Sequence, residues 1–333
     1  MSIEDYPHEV LMEYKRLWEE GTLHEANSNN RDAIECYIRM MKITEPDPVV
    51  FNRIAYCHLM LNDVEMAMRR LRQSLELDSE NVEALHNLSM LLIDHGELSE
   101  AEELTRRGIA LETNHPGHWK NLGEIKYKQG NYQQAVQALA TSIGLAPDNY
   151  DTHHKLALAY IRVCDSDNAH REFLRAIELS DDDGELLTDY ALLFFVQDRH
   201  PEAEPYLRRA VEVDSIRTMP HYMLAHCLLE QVSLTGDDYE EDMIQEVIDL
   251  LNKTLELDVL CGEAWYLWGR LMVMFRDWET AEKYLRAGIE HGTAHPECWA
   301  LHSLALSKLG REDEAEEVFE EFKRRERKMN GIE

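Results

Sequence analysis

Small side chains recur along this chain at a fixed interval. Nine positions hold Gly, Ala or Ser, and successive members lie 34 residues apart except at one step of 44 residues: Gly21, Ala55, Ser89, Gly123, Ala157, Ala191, Ala225, Gly269 and Ser303. Helix backbones approach each other closely where the side chains between them are small. A period of this length is typical of solenoids built from tandem helical units. The pattern therefore predicts repeated helix pairs along most of the chain.

A second series of mainly small residues has the same period. It runs Ala33, Ala67, Ala101, Ala135, Ala169, Ala203, Val247, Ala281 and Ala315. Four residues after each member, one helical turn later, stands a residue that is large and apolar in all but one case: Tyr37, Leu71, Thr105, Leu139, Phe173, Leu207, Leu251, Leu285 and Phe319. Both series of small residues take the same extra ten-residue step between Ala225 and Val247. This indicates a true repeat with one insertion.

The clearest unit contains Trp119, Leu122, Gly123, Ala135, Leu139 and Pro147 at characteristic spacings. It resembles the tetratricopeptide repeat, which has two antiparallel helices in 34 residues. Tyr127 departs by one residue from the place of that repeat's tyrosine. The resemblance implies an all-α solenoid, a right-handed superhelix of antiparallel helix pairs. It divides the chain into an N-terminal extension (1–13), nine repeats and a C-terminal tail (330–333), with repeats at 14–47, 48–81, 82–115, 116–149, 150–183, 184–217, 218–261, 262–295 and 296–329.

The insertion is predicted to enlarge one turn, over residues 231–242. A tolerated surface loop is one interpretation, since insertions in solenoids map to one edge. The other is a contact with a ligand, in which Leu234 and Tyr239 supply apolar surface and nearby carboxylates attract a basic flank. Those carboxylates belong to Asp237, Asp238, Glu240, Glu241 and Asp242.

Charge and composition narrow the classes of partner. With 65 acidic and 34 basic residues, the formal net charge is −31. Such a charge repels phosphate backbones, so we expect no nucleic acid and no anionic membrane as partners. No apolar stretch is long enough to span a bilayer, the first residues lack the features of a signal peptide, and the six cysteines form no C-x-x-C pair. We therefore expect a cytoplasmic protein with reduced thiols.

The resemblance implies that the first helix of each repeat lines a concave groove. At equivalent positions of four successive first helices stand polar residues, and further polar residues precede three of them. We name this set the polar row: Arg53, Asn87, Asn121, Lys155, His86, Lys120 and His154. An asparagine amide both donates to and accepts from a peptide unit, while cations take a carboxylate or phosphate. The row is predicted to bind an extended peptide; a merely hydrated groove is the alternative.

Further along, the same face is predicted to become apolar. We name this second set the apolar half: Phe195, Tyr222, Met223, His226, Tyr266, Leu267 and Arg270. Aromatic and methionine side chains on a helical wall suit an amphipathic partner helix. Ordinary packing between repeats explains the same residues equally well, because a small rotation of the helices buries them.

No motif indicates catalysis, a cofactor or a metal. His115 and His118, the pair His153 and His154, and the pair His291 and His295 lack a cysteine at zinc spacing, and no H-E-x-x-H sequence occurs. We predict a non-enzymatic scaffold or adaptor that binds a protein or peptide, with no cofactor and no metal. A regulatory or assembly subunit of a complex, and the repeat arm of a multidomain enzyme, are the alternatives. Oligomeric state is left open.

Overall fold

The computed structural model describes residues 6–180, 182–235 and 241–329. These residues form eighteen α-helices and no strand, as the repeat pattern predicts. Consecutive helices pack in pairs across turns of a few residues, and each pair also packs against the next pair of its unit. No helix in the described ranges combines the length and apolar character needed to cross a membrane.

Two compact units divide the chain after Leu179. The first unit contains ten helices: α1 (His8–Ala26), α2 (Asn30–Ile43), α3 (Pro48–Met60), α4 (Val64–Leu77), α5 (Val82–Asp94), α6 (Leu98–Leu111), α7 (Pro116–Lys128), α8 (Tyr132–Leu145), α9 (Tyr150–Arg162) and α10 (Ser166–Leu179). The second contains eight: α11 (Gly184–Phe195), α12 (His200–Val213), α13 (Thr218–Thr235), α14 (Glu241–Leu257), α15 (Gly262–Met274), α16 (Trp278–Glu290), α17 (Glu297–Lys308) and α18 (Glu312–Met329).

The helices follow the period read from the sequence. The first helices of six successive pairs, α3 to α13, begin 34 residues apart, and α15 begins 44 residues after α13. We propose the nine-repeat division on this basis.

The small and large series pack against each other within a helix pair. A methyl group added to Gly123 would lie 2.5 Å from Cγ of Leu139, and one added to Gly269 would lie 2.4 Å from Cγ of Leu285. Leu139 is fully buried, and it also belongs to a cluster with Leu156 of the next pair. Each large residue thus fills the space left by a glycine or another small residue, and apolar surface buried between pairs stabilises the stack.

The last pair departs from this packing. Phe319 is 40% exposed, whereas its equivalents in the earlier pairs are buried. Because no described helix follows α18, nothing there covers its outer face.

Two segments differ from the sequence-based expectation. Helix α1 begins at His8, inside the predicted N-terminal extension, and Pro7 occupies its N-cap position. The insertion lengthens helices, since residues 231–235 continue α13 and α14 starts at Glu241. The reason is that buried Val232 and Ile244 extend the apolar faces of the two helices. Residues 236–240 and the side chain of Leu234, on which the ligand interpretation depends, lie outside the described residues.

Candidate functional site

The polar row lies on α3, α5, α7 and α9 of the first unit. Helix α7 contacts both α5 and α9, so first helices of neighbouring pairs are adjacent. Residues at equivalent positions on α5, α7 and α9 are thereby brought side by side. We call the side of these three helices that carries Asn87, Asn121 and Lys155 the first-helix face.

Lysines of the row belong to an ion-pair network between α7 and α9. Lys120 Nζ lies 3.0 Å from Oδ2 of Asp151, while Lys155 Nζ lies 3.4 Å from Oδ1 of Asp151 and 3.3 Å from Oε2 of Glu124. Burial would raise the pKa of Asp151, but the two ammonium groups outweigh it and hold that pKa below its usual value. The network therefore contains two cations and two anions.

Arg53 is also paired within the protein. Its guanidinium donates to the carboxylate of Glu25 on α1, and the Glu25 side chain is only 7% exposed. Cys57 Sγ lies 3.5 Å from the other oxygen of Glu25. Arg53 thus links α3 to α1 and is not an unpaired cation.

The two asparagines of the row have different environments. Asn121 is 1% exposed, and its Nδ2 donates to Ser89 Oγ at 2.7 Å and to the carbonyl of His86 at 3.3 Å. Its amide links α7 to α5, because the small Ser89 leaves room for it. Asn87 is half-buried, and its side chain makes no hydrogen bond within the described part of the chain. Only Asn87 keeps an open amide, meaning one whose donor and acceptor are available to a ligand. The sequence predicts such an amide at both asparagines.

The histidines of the row are largely enclosed. The ring of His86 lies beside His115 and His118, with centroids 5.2 and 5.5 Å away. Burial, more than the neighbouring histidines and Lys120, lowers the pKa of His86 to about 4. His154 is 8% exposed and its ring lies 5.9 Å from that of Phe173. His154 therefore offers little surface to a ligand.

Most of the apolar half is interior to the second unit. Met223, Tyr266 and Leu267 are at most 1% exposed. Tyr266 donates from its hydroxyl to Glu297 at 2.9 Å and stacks on the ring of His295, with centroids 4.8 Å apart. Burial favours the packing interpretation for the three residues, since almost none of their side-chain surface is accessible to a ligand.

Two further members of the apolar half, His226 and Arg270, contact the carboxylate of Glu230. Arg270 donates to Glu230 and, at 3.2 Å, to Ser233, and His226 Nε2 lies 3.1 Å from Oε1 of Glu230. Hydrogen bonds from His226 and Arg270 lower the pKa of Glu230. Phe195 packs edge-on against the His226 ring at 5.0 Å. Phe195 and Tyr222 are half-buried and keep part of their rings accessible.

One polar contact was missed at the sequence level. Both oxygens of Glu102 on α6 accept hydrogen bonds from Lys126 Nζ of α7 at 2.8 Å. Lys126 is 7% exposed. Hydrogen bonds from Lys126, and then from Gln129 and Arg106, lower the pKa of Glu102 to about 2. No sequence motif marks such a pair, since its members lie 24 residues apart in different repeats.

Profiles of known protein families match parts of this helical chain. Two tetratricopeptide repeat profiles match the chain, one at residues 154–215 and one at residues 296–328. This chain is a tetratricopeptide repeat protein. The resemblance seen in the sequence is thereby confirmed. A third profile, that of the coatomer epsilon subunit, matches residues 22–140, less than half of the chain.

Curated relatives of this tetratricopeptide repeat protein are distant and longer than the matched region. The tetratricopeptide repeat-containing protein trd-1 of Caenorhabditis elegans is 24% identical over 167 residues, which are 48% of this chain and 22% of the relative. The BBSome complex member BBS4 homolog of Drosophila melanogaster is 24% identical over 176 residues, covering 53% of this chain and 36% of the relative. The chain thus matches well under half the length of each relative.

Solved structures include similar helical proteins. A tetratricopeptide repeat protein from Parabacteroides merdae ATCC 43184 is 14% identical, with a TM-score of 0.49. The similarity covers 78% of this chain and 98% of that one.

Proposed function

We propose that this protein is a non-catalytic scaffold or adaptor of the cytoplasm that binds an extended peptide segment of a partner protein on its first-helix face. Tetratricopeptide repeat proteins generally mediate protein–protein interactions and are generally non-catalytic. Contacts among the residues of the first unit support the first-helix face as the location of this role.

The observation that carries the proposal is the open amide of Asn87. It lies on α5, one of the first helices that pack side by side, and its donor and acceptor are unused within the described chain. The C=O and N–H groups of a peptide unit can pair with the donor and the acceptor of such a side-chain amide. An amide with no hydrogen bond is costly once a ligand removes it from water. A bound peptide backbone that pairs with Asn87 avoids that cost.

The ion-pair network between α7 and α9 is already balanced, because Lys120 and Lys155 pair with Asp151 and Glu124. A single charged group of a ligand would have to compete there with an internal partner. The surplus of acidic residues over the whole chain, 65 against 34, favours a ligand with a basic flank, because opposite charges accelerate encounter.

Affinity capture with mass spectrometry tests this proposal. Wild-type protein and the Asn87→Ala and Asn252→Ala variants are used as baits in parallel. Asn252 is an exposed asparagine on the second helix α14 and provides the matched control. We expect one partner to be retained by wild type and Asn252→Ala and depleted with Asn87→Ala. Equal recovery with all three baits would exclude Asn87 from the binding surface.

A second candidate is a fixed subunit of a larger assembly. It is favoured by the coatomer epsilon match over residues 22–140 and by the similarity to a BBSome complex member. Native mass spectrometry of the protein purified from its source separates the two functions. A fixed stoichiometry that survives high salt indicates an assembly subunit, whereas exchange with free peptide indicates an adaptor.

A further inference from the structure

Three histidines from neighbouring repeats converge in the first unit. One ring nitrogen from each of His86, His115 and His118 lies within 4.8 Å of the others. Their ring centroids are 4.7 to 5.5 Å apart. His86 belongs to α5, His115 is the N-cap residue of α7, and His118 lies in the first turn of α7. The sequence analysis predicts no metal here, because His86 is 32 residues away from His118 and joins His115 and His118 only in the folded chain.

Ring nitrogens in this cluster lack partners despite their burial. His118 is 0% exposed, and neither its Nδ1 nor its Nε2 has a hydrogen-bond partner among the described residues. The Nδ1 of His115 is likewise buried and unpaired there. Buried polar groups are normally satisfied by hydrogen bonds, and exceptions call for an explanation such as a bound ion.

Two glycines make room for the imidazoles. A methyl group on Gly108 of α6 would lie 2.2 Å from Cε1 of His118. One on Gly117 would lie 2.6 Å from Cε1 of His86 and 2.9 Å from Cε1 of His115. Any other residue type at these two positions would displace the rings. The convergence of the three rings thus depends on both glycines.

We propose that His86, His115 and His118 bind one Zn²⁺ ion, or a divalent ion of similar preference, with water or a partner's side chain as fourth ligand. Imidazole nitrogen is a preferred ligand of Zn²⁺, and three protein ligands with an open fourth position form a known type of zinc site. Tetrahedral Zn–N bonds of about 2.0 to 2.1 Å place the ligand nitrogens roughly 3.3 Å apart. Small rotations of the His86 and His115 side chains, both partly exposed, bring the nitrogens to that separation.

The surroundings favour a borderline transition metal over a hard cation. No cysteine or carboxylate joins the cluster among the described residues. Mg²⁺ and Ca²⁺ require oxygen ligands, so a set of three imidazoles excludes them. Lys120 is the cation that faces His86, and its pairing with Asp151 reduces its repulsion of a metal.

A metal at this place would join α5, which carries the open amide of Asn87, to α7. His86 directly precedes Asn87 on α5, and Nδ2 of Asn121 lies 3.3 Å from Nδ1 of His86. Bound Zn²⁺ would therefore fix α5 against α7 next to the first-helix face. The metal site is independent of the peptide proposal, because Zn²⁺ binding is measured with no partner present.

Titration of the metal-free full chain with Co²⁺ tests the site. Tetrahedral Co²⁺ has a distinct visible absorption, and Zn²⁺ then displaces it. The His86→Gln and His115→Gln variants each remove one partly exposed ligand, which spares the buried His118. His95→Gln, an exposed histidine on the C-cap of α5, is the matched control.

We expect one tetrahedral Co²⁺ per chain in wild type and in His95→Gln, unaffected by excess Mg²⁺. Affinity should fall at least about tenfold in each ligand variant. One equivalent of Zn²⁺ should raise the melting temperature of wild type and of His95→Gln, but not that of the ligand variants. Equal binding by all four proteins, an octahedral spectrum, or displacement by Mg²⁺ would overturn the assignment. Circular dichroism of each variant separates loss of a ligand from loss of fold.

Discussion

A left-handed residue ends the first helix of nearly every pair. Positive φ values of 56° to 79° occur in these turns at Ser28, Asn62, Gly96, Gly130, Cys164, Asp198, Arg276 and Gly310. Successive members lie 34 residues apart, except that Asp198 and Arg276 are 78 residues apart because one repeat and the insertion lie between them. The turn geometry is therefore a property of the repeat, and glycine, which adopts this conformation without steric cost, fills only three of the eight positions.

Arg276→Gly is predicted to stabilise the protein. Relief of left-handed strain contributes about 1 to 2 kcal/mol, and the greater freedom of glycine in the unfolded chain offsets roughly 0.5 to 1 kcal/mol of it. We expect a net gain of about 0.5 to 1 kcal/mol in the free energy of unfolding, measured with urea. Gly310→Ala is the reverse control and should lower stability. Any loss there reports backbone strain and not a clash, since no atom lies within 4 Å of the added methyl group. A loss of stability in Arg276→Gly would contradict the strain argument.

At the scale of helices, the contact between the small and large series is directly testable. Ala135 on α8 is fully buried, whereas Ala140 on the same helix is exposed. Ala135→Trp overpacks the pair and should reduce the free energy of unfolding by about 1 to 3 kcal/mol or more. Ala140→Trp should leave it within about 0.5 kcal/mol. An unchanged melting curve for Ala135→Trp would refute the assignment of Ala135 to the buried series of small residues.

The link between α6 and α7 predicts a pH-dependent stability. Glu102→Gln leaves Lys126 buried without its carboxylate and should cost about 1.5 to 3 kcal/mol at neutral pH. The folded-state pKa of Glu102, about 2, is below the ordinary 4.5. The Glu102 carboxylate therefore contributes to the free energy of unfolding above pH 4.5, and this contribution is lost as the pH falls toward 2.

Urea unfolding of wild type, Glu102→Gln and Glu103→Gln across that pH range provides the check. The neighbouring Glu103 is exposed, so Glu103→Gln should follow wild type. The deficit of Glu102→Gln should shrink on acidification. A deficit that stays constant between pH 4.5 and 2 would show that the ion pair is not its cause.

Periodicity predicts backbone arrangement better than side-chain partners. The helix pairs and their buried small and large residues follow from spacing, because every repeat must bury the same face. Asn87 and Asn121 hold equivalent positions, yet one amide is open and the other is enclosed by Ser89. Contacts such as Arg53 with Glu25 depend on neighbouring repeats that differ in sequence. The period alone does not distinguish these environments.

For the whole molecule, the charge surplus predicts a salt-sensitive association. A chain of net charge −31 attracts a basic segment over a distance set by the Debye length, which is about 10 Å at 0.1 M salt and about 3 Å at 1 M. The association rate constant for the captured partner should fall as salt is raised, while the dissociation rate constant changes less. Stopped-flow fluorescence measures both. A rate of association that does not depend on salt would remove the argument for a basic flank.

The central claim is that a partner peptide binds the first-helix face at Asn87. Isothermal titration of the captured partner peptide into wild type, Asn87→Ala and Asn252→Ala tests it most directly. Loss of the amide should weaken binding by about 1 to 3 kcal/mol, because groups of the peptide are then buried without a partner, and Asn252→Ala should bind as wild type does. Equal dissociation constants for Asn87→Ala and wild type would contradict the claim and place the binding surface elsewhere on the protein.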